Sequence, residues 1–407
     1  MRAILALCFV LAVTTHAADI FLTGATIYAS PDQPPLADSV VVIHGNRISR
    51  VGPRASVPIP KDARIVDCSG KSITAGFWNS HVHILTPGLL HAGAASPAEL
   101  DSQLDEMLNR WGFTTVFDIA SLLENTLALR RRIESGEIRG PRILTVGEPL
   151  WTKAPVYVRD FLEANHIPMP AVATPQEAAA RVRALAKQAV DGIKLFTGSV
   201  QGGGQVANMP LDLVRAATAE AHRHHLPVFA HPQNTAGLDA AIDGGVDILA
   251  HTVPQSPPWT PELSARIKAA HMALIPTLTL FDVEARKDGA SDGAREELIE
   301  KVVDELRVFS QAGGEVIFGT DVGYTDHFDT AMEFALMSRA GMSFRQILAS
   351  LTTVPAKRFG YSGHSGRIAD GMDADLVVLN GNPADDATAL SKINLVIRGG
   401  KILYPAH

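Results

Sequence analysis

Ile73-Thr74-Ala75-Gly76-Phe77-Trp78-Asn79-Ser80-His81-Val82-His83 is an apolar stretch, Ile73 to Trp78, that closes on a pair of histidines. Side chains alternate along a strand with period two, so His81 and His83 leave its end on the same face and both can grip one ion. Later apolar stretches each close on a single polar residue: Gly192-Ile193-Lys194, Val228-Phe229-Ala230-His231, Ile248-Leu249-Ala250-His251 and Val316-Ile317-Phe318-Gly319-Thr320-Asp321. Any one of these residues alone would be read as a core histidine or a salt-bridged lysine. Four imidazoles, one amine and one carboxylate at successive strand ends read instead as a metal site, because imidazole and carboxylate are the usual ligands of zinc-like ions.

Further strand ends fall near Asp118, Gly147 and Pro276, which makes eight in all. Between His83 and Asp321 the repeat averages about 34 residues, close to the length of a βα unit. Helical patterns fill the gaps at Leu122 to Ile133, Pro175 to Ala189, Asp212 to His225, Leu238 to Asp243, Ala294 to Gln311 and Ser343 to Leu351. The expected fold is α/β, a (β/α)8 TIM barrel whose ligands converge at the C-terminal ends of its strands. Both flanks are strand-like: Ile20 to Ile27, Ser39 to His44, Arg47 to Val51 and Arg64 to Asp67 on one side, Asp375 to Leu379, Asn394 to Arg398 and Ile402 to Tyr404 on the other. Neither flank covers a core alone, so residues 18–74 and 361–407 are expected to form one small β-sandwich domain, with 75–360 as the metal-binding barrel.

With 407 residues, 46% hydrophobic and 19% charged, the chain can bury a large core. A net charge of −7 without a basic cluster makes nucleic acid an unexpected partner. Arg130-Arg131-Arg132 is read as a solvated helix face. At the N-terminus, Arg2, the apolar run Ala3 to Val13 and Thr15-His16-Ala17 have the layout of a signal peptide, 1–17, with a mature start near Ala18 and export to the periplasm or medium. Processing would leave Cys68 as a lone thiol, and no other apolar stretch reaches the ~18 residues of a membrane span. Oligomeric state is not legible.

An ammonium at Lys194 would be repelled by nearby cations. A buried amine can lose its proton and add carbon dioxide, giving a carbamate able to bridge two ions. Two divalent ions ~3.5–4 Å apart would share a hydroxide of lowered pKa. Asp321 would take its proton on attack and deliver it to the leaving group, as general base and then general acid.

Thr74 to His83, with Lys194, His231, Gly244-Gly245-Val246-Asp247-Ile248-Leu249-Ala250-His251, Gly319-Thr320-Asp321 and the returning segment Gly366 to Leu379, resembles the amidohydrolase superfamily. The lysine after Gly-Ile resembles the branch related to imidazolonepropionase and the Xaa-Pro dipeptidases. The resemblance implies that His81, His83 and Asp321 hold one metal, His231 and His251 a second, and Lys194 the bridge. It implies hydrolysis of an amide or peptide bond in a small substrate, with zinc favoured. Asn79 and Ala75 depart from the aspartate and proline common in that motif, and the first bears on how the ligands are oriented. Two rival readings stay open: a mononuclear deaminase or cyclic-amide hydrolase with an unmodified lysine, and an exported metal-binding protein without catalysis.

His222, His224, His225 and His271 precede strands and are read as surface at the far end of the barrel. His91, Trp151, Tyr157, Tyr324 and His327 follow strands and are candidate pocket residues, as is Arg159 for a substrate carboxylate. Gly198 to Gly204 is read as a rim or lid, and Asp118 as either a support for the ligands or a purely structural acceptor.

Overall fold

The computed structural model describes residues 19–169 and 171–405; the expected signal peptide lies outside them. Eight parallel strands carry the middle of the chain: β1 (Phe77–Val82), β2 (Phe113–Asp118), β3 (Arg142–Thr145), β4 (Ile193–Leu195), β5 (Val228–Ala230), β6 (Ile248–Ala250), β7 (Ala273–Ile275) and β8 (Glu315–Val316). They form two ladders, β1-β2-β3 and β4-β5-β6-β7-β8, parallel throughout. Single bridges link their edges. Leu150 pairs with Leu195 beyond β3, and Val82 with Val322 beyond β8.

Alternation along these strands sorts the core. Trp78, Phe117, Leu144, Phe229, Ile248 and Ile275 share one interior cluster, closed from below by Phe359, whose ring lies 4.9 Å from that of Phe117. Their neighbours Phe77, Val116, Ile143, Leu249 and Leu274 turn the other way and pack under the helices. Ile193 and Leu195 also join that outer core. Lys194 between them therefore points inward, as period-two geometry demands.

The helices Leu123–Glu134, Pro175–Ala186, Leu211–Arg223, Thr235–Asp243, Asp292–Gln311 and Phe344–Leu351 match the expected segments to within three residues at each end. Pro175–Ala186 starts with a capping box from Thr174 and Glu177, and Phe344–Leu351 with one from Ser343 and Gln346. The last parallel strand is shorter than expected. It ends at Val316, and the chain then runs alongside β1, where Ser80 N–H donates to Phe318 O and Asp321 N–H to His81 O.

The two flanks meet, but as one continuous mixed sheet rather than two stacked ones. Ile20–Tyr28 pairs with Leu36–His44, Arg64–Asp67 and Ser72–Ala75, and Leu376–Leu379 continues the sheet from Ser72–Ala75 through Ile393–Arg398 to Lys401–Tyr404. The opening motif is thus split at Gly76: Ser72–Ala75 belongs to this sheet and Phe77–Val82 to the parallel one. A Cβ on Gly76 would lie 2.2 Å from Thr114 Oγ1, so only glycine lets the chain pass there.

Candidate metal and active site

His81, in β1, and His83, just after it, both direct Nε2 at Asp321 Oδ1, at 3.1 and 2.8 Å. His251 approaches the other carboxylate oxygen, with Nε2 3.9 Å from Oδ2. His81, His251 and Asp321 offer ligand atoms within 4.8 Å of one another, all buried. Their rings interlock, with centroids 4.6 Å apart for His81 and His251 and 4.7 Å for His251 and His231. Lys194, buried, lines the same cavity, its amine 5.7 Å from the centre of the Phe196 ring. Half-buried His231 stacks on Phe196 and sets Nε2 3.2 Å from Gln233 Oε1.

The partners of the other ring nitrogens set the tautomers. His83 Nδ1 lies 2.7 Å from Ala120 O, a pure acceptor, so Nδ1 carries the proton and the Nε2 lone pair faces Asp321. Thr277 Oγ donates to Pro276 O and accepts from His251 Nδ1 at 2.7 Å, with the same result for His251 Nε2. Asn79 accepts the His81 amide through Oδ1 and donates Nδ2 to Thr320 Oγ1 at 2.7 Å, tying β1 to the residue before Asp321. The departure at position 79 therefore keeps an orienting contact.

Burial keeps the His81, His231 and His251 imidazoles neutral. Burial, with Lys194 nearby, holds His231 down to about 4; burial, against the pull of Asp321, holds His81 down to about 3 and His251 well below its usual range. Burial also lowers Lys194 to about 7, against the opposing pull of Asp321. Burial opposes ionisation of Asp321, but it is held well below the usual carboxylate range wherever the adjoining His81 and His83 rings turn a proton toward it. Neutral nitrogens, an anionic carboxylate and a deprotonatable amine are the donor set a divalent cation requires. Both His81 ring nitrogens and Asp321 Oδ1 are buried without a well-formed hydrogen bond, which fits atoms aimed at an ion.

Backbone strain gathers here. His251, Thr277 and Asp321 have φ of 107°, 46° and 63°, unusual for side chains of these kinds. Gly319 allows the close packing of this turn: a Cβ there would fall 2.7 Å from His81 Cβ.

The site opens into a cavity of about 450 Å³. Trp151, Tyr157 and Tyr324 line it, as expected; His91 and His327 are exposed and lie outside its lining. Arg159 is also outside it, facing Asp160 and Glu163 on its own helix. Gly198–Val200 and Val206–Asn208 form a hairpin at the rim, with Val200 in the lining. Asp118 accepts from Ser121, Thr126 and Thr145, so it braces the loop that carries Ala120 rather than touching the site. His222 pairs with Asp247 and His224 with Glu220, away from the cavity. Cys68 is a buried free thiol in the terminal sheet. Phe196, Gln233 and Thr277 escaped the sequence reading, since each follows a strand end without a metal-ligand signature, and Glu284 escaped it inside the helix Leu278–Lys287.

A family model described as "Amidohydrolase family" matches residues 72–403. The ochratoxinase of Aspergillus niger is 24% identical over 96% of this chain and 88% of its own length, and the imidazolonepropionase of Rhizobium meliloti 24% over 85% and 86%. Among solved structures, a Xaa-Pro dipeptidase with bound methionine superimposes with a TM-score of 0.80 at 24% identity, covering 95% of this chain and 99% of that one. Phenylurea hydrolase B gives 0.77 at 23%, covering 95% and 96%. Family and neighbours imply a TIM barrel joined to a mixed sheet. A donor set buried at the strand ends and a family match over most of the sequence agree: the chain belongs to the amidohydrolase family and is a hydrolase acting on carbon–nitrogen bonds.

Proposed function

We propose that this chain hydrolyses an amide or peptide bond of a small substrate with two divalent ions, zinc favoured. His81, His83 and Asp321 would hold one, His231 and His251 the other, with Lys194 carboxylated between them. The observation that carries the reading is the convergence of three imidazoles on Asp321, with a buried amine lowered to about 7 in the same cavity. Bound divalent ions would supply Lewis-acid polarisation of the substrate carbonyl and acidify a water molecule. Asp321, held ionised, accepts the proton of that water and passes it to the departing nitrogen. His83 and His251, with Nδ1 engaged, present lone pairs and keep their orientation through the reaction. The apolar wall around Trp151 and Phe161 excludes bulk water. The reading includes closure of the two parallel ladders into one (β/α)8 barrel, supported by the bridges at Leu150 and Val82, and export after removal of residues 1–17.

The test is metal stoichiometry on protein purified with bicarbonate, with a crystal map at Lys194. Two ions and extra density on the amine support the reading. One observation favours a mononuclear enzyme: the group that meets single-ion spacing is His81, His251 and Asp321, one member drawn from the second pair. One ion and a bare amine would establish that alternative.

A further inference from the structure

The cavity has two unlike walls. On one side lie Trp151, Phe161 and Phe196, part of a single apolar cluster built by the segment after β3 and the end of β4. On the other, the helix Leu278–Lys287 places Glu284 against the cavity, where Tyr324 donates its hydroxyl to Glu284 Oε1 at 2.7 Å. The Tyr324 ring packs on Tyr157, with centroids 5.2 Å apart, so the two walls meet through this pair. Among the described residues Tyr324 is the side chain that hydrogen-bonds Glu284, which leaves Oε2 as an acceptor for whatever fills the cavity.

The cations of the lining decide the sign. They are Lys194, which belongs to the metal site, and Lys287, which is exposed at the edge and adjoins Asp288, itself in the lining. Among the described residues no arginine lines the cavity. Away from the metal site, a free carboxylate on the substrate would meet Glu284 and Asp288 with one exposed ammonium to answer them, and like charges at close range select against a ligand. An amine or amide N–H would instead find an acceptor in Glu284.

We propose that Glu284 makes this cavity selective for small aromatic or apolar amides that carry no free carboxylate, accepting a hydrogen bond from an N–H or ammonium group of the substrate. This rests on the reading of the site as an amide hydrolase and narrows it, since an unblocked dipeptide carries the disfavoured carboxylate.

Two substrates that differ by one carboxylate test it: N-acetylphenethylamine and N-acetylphenylalanine, with amine release followed on metal-loaded full-length enzyme. The wild type is expected to favour the uncharged amide in kcat/KM by on the order of tenfold. Glu284→Gln should shrink that ratio and Glu284→Lys reverse it, with metal content unchanged in both because Glu284 is not in the ligand set. A wild-type preference for N-acetylphenylalanine, or a ratio unmoved in both variants, overturns the inference and leaves the hydrolase reading standing. Absence of metal-dependent release from either substrate overturns the inference, and the metal stoichiometry with the map at Lys194 then tests the hydrolase reading separately. Should the lysine variant fail to fold, the near-isosteric glutamine variant decides alone.

Discussion

Replacing Glu333 by glutamine should loosen the metal site from outside it. Glu333 is buried on the helix Ala331–Arg339 and never reaches the cavity. Its Oε1 accepts from Leu278 N–H at 2.9 Å, and its Oε2 from Thr279 N–H and Thr279 Oγ, both at 2.7 Å. These amides open the helix that follows β7. Thr277, the residue before that helix, holds the strained φ of 46° and fixes the His251 tautomer. In the glutamine variant one oxygen becomes an NH2 group facing a backbone donor. An unsatisfied buried N–H costs about 1–3 kcal/mol, and the lost charge at a helix N-terminus about 0.5–1 kcal/mol. Burial already holds the Glu333 carboxyl above its usual range, which offsets part of this, so a net loss of about 2 kcal/mol is expected. Thr277 is then free to relax, and His251 loses its fixed orientation. Losing an orienting contact of this kind weakens metal affinity by roughly 10–100-fold. Urea unfolding of the metal-free protein and competition with a chelator for zinc measure the two effects. An unfolding midpoint and a zinc affinity both matching wild type would refute the chain of contacts from Glu333 to His251.

Three further outcomes are expected. Asp321→Asn keeps the size of the side chain but not its charge, so hydrolysis should fall on the order of 10²–10⁴-fold while circular dichroism stays unchanged; retained turnover would remove Asp321 from proton transfer. Lys194→Met should reduce bound metal from two ions toward one by elemental analysis, and intact mass should show loss of one carbon dioxide relative to gently ionised wild type; two ions in the variant would exclude a bridging role. Glu305 gives the pH dependence. Burial pushes its carboxyl up to about 8 although Val253 N–H donates to it. Between its unfolded value near 4.5 and that raised value the folded protein holds the extra proton, so its contribution to stability is full at low pH and falls as pH rises, by at most about 1.4 kcal/mol per unit. Thermal unfolding from about pH 5 to 8 should therefore decline in wild type more steeply than in Glu305→Gln; parallel slopes would show that Glu305 does not titrate there.

His81, His83, Lys194, His231, His251 and Asp321 were legible in the sequence because strand chemistry is local. Period-two alternation and a short apolar run are enough to mark a strand end, and the helices announced themselves by apolar spacing and caps such as Ser343 with Gln346. What sequence left open was long-range. Ile73 to Trp78 reads as one run, yet Gly76 divides it between two sheets, where Thr114 of the neighbouring strand β2 packs against that glycine. The flanks form one mixed sheet instead of a sandwich because Ser72–Ala75 hydrogen-bonds to the N-terminal strand and the C-terminal one at once. Arg159 and His91 were plausible pocket residues by position, but loop geometry turned them to solvent or to their own helix. Glu284 and Glu333 carry no signature at all. One faces the cavity and the other anchors a helix start only because elements far apart in sequence pack together, and an unpaired acid on a helix reads the same in either place until that packing is known. The sequence by itself marked these residues as candidate ligands; tertiary structure decided which of them converge, what holds them and what they face.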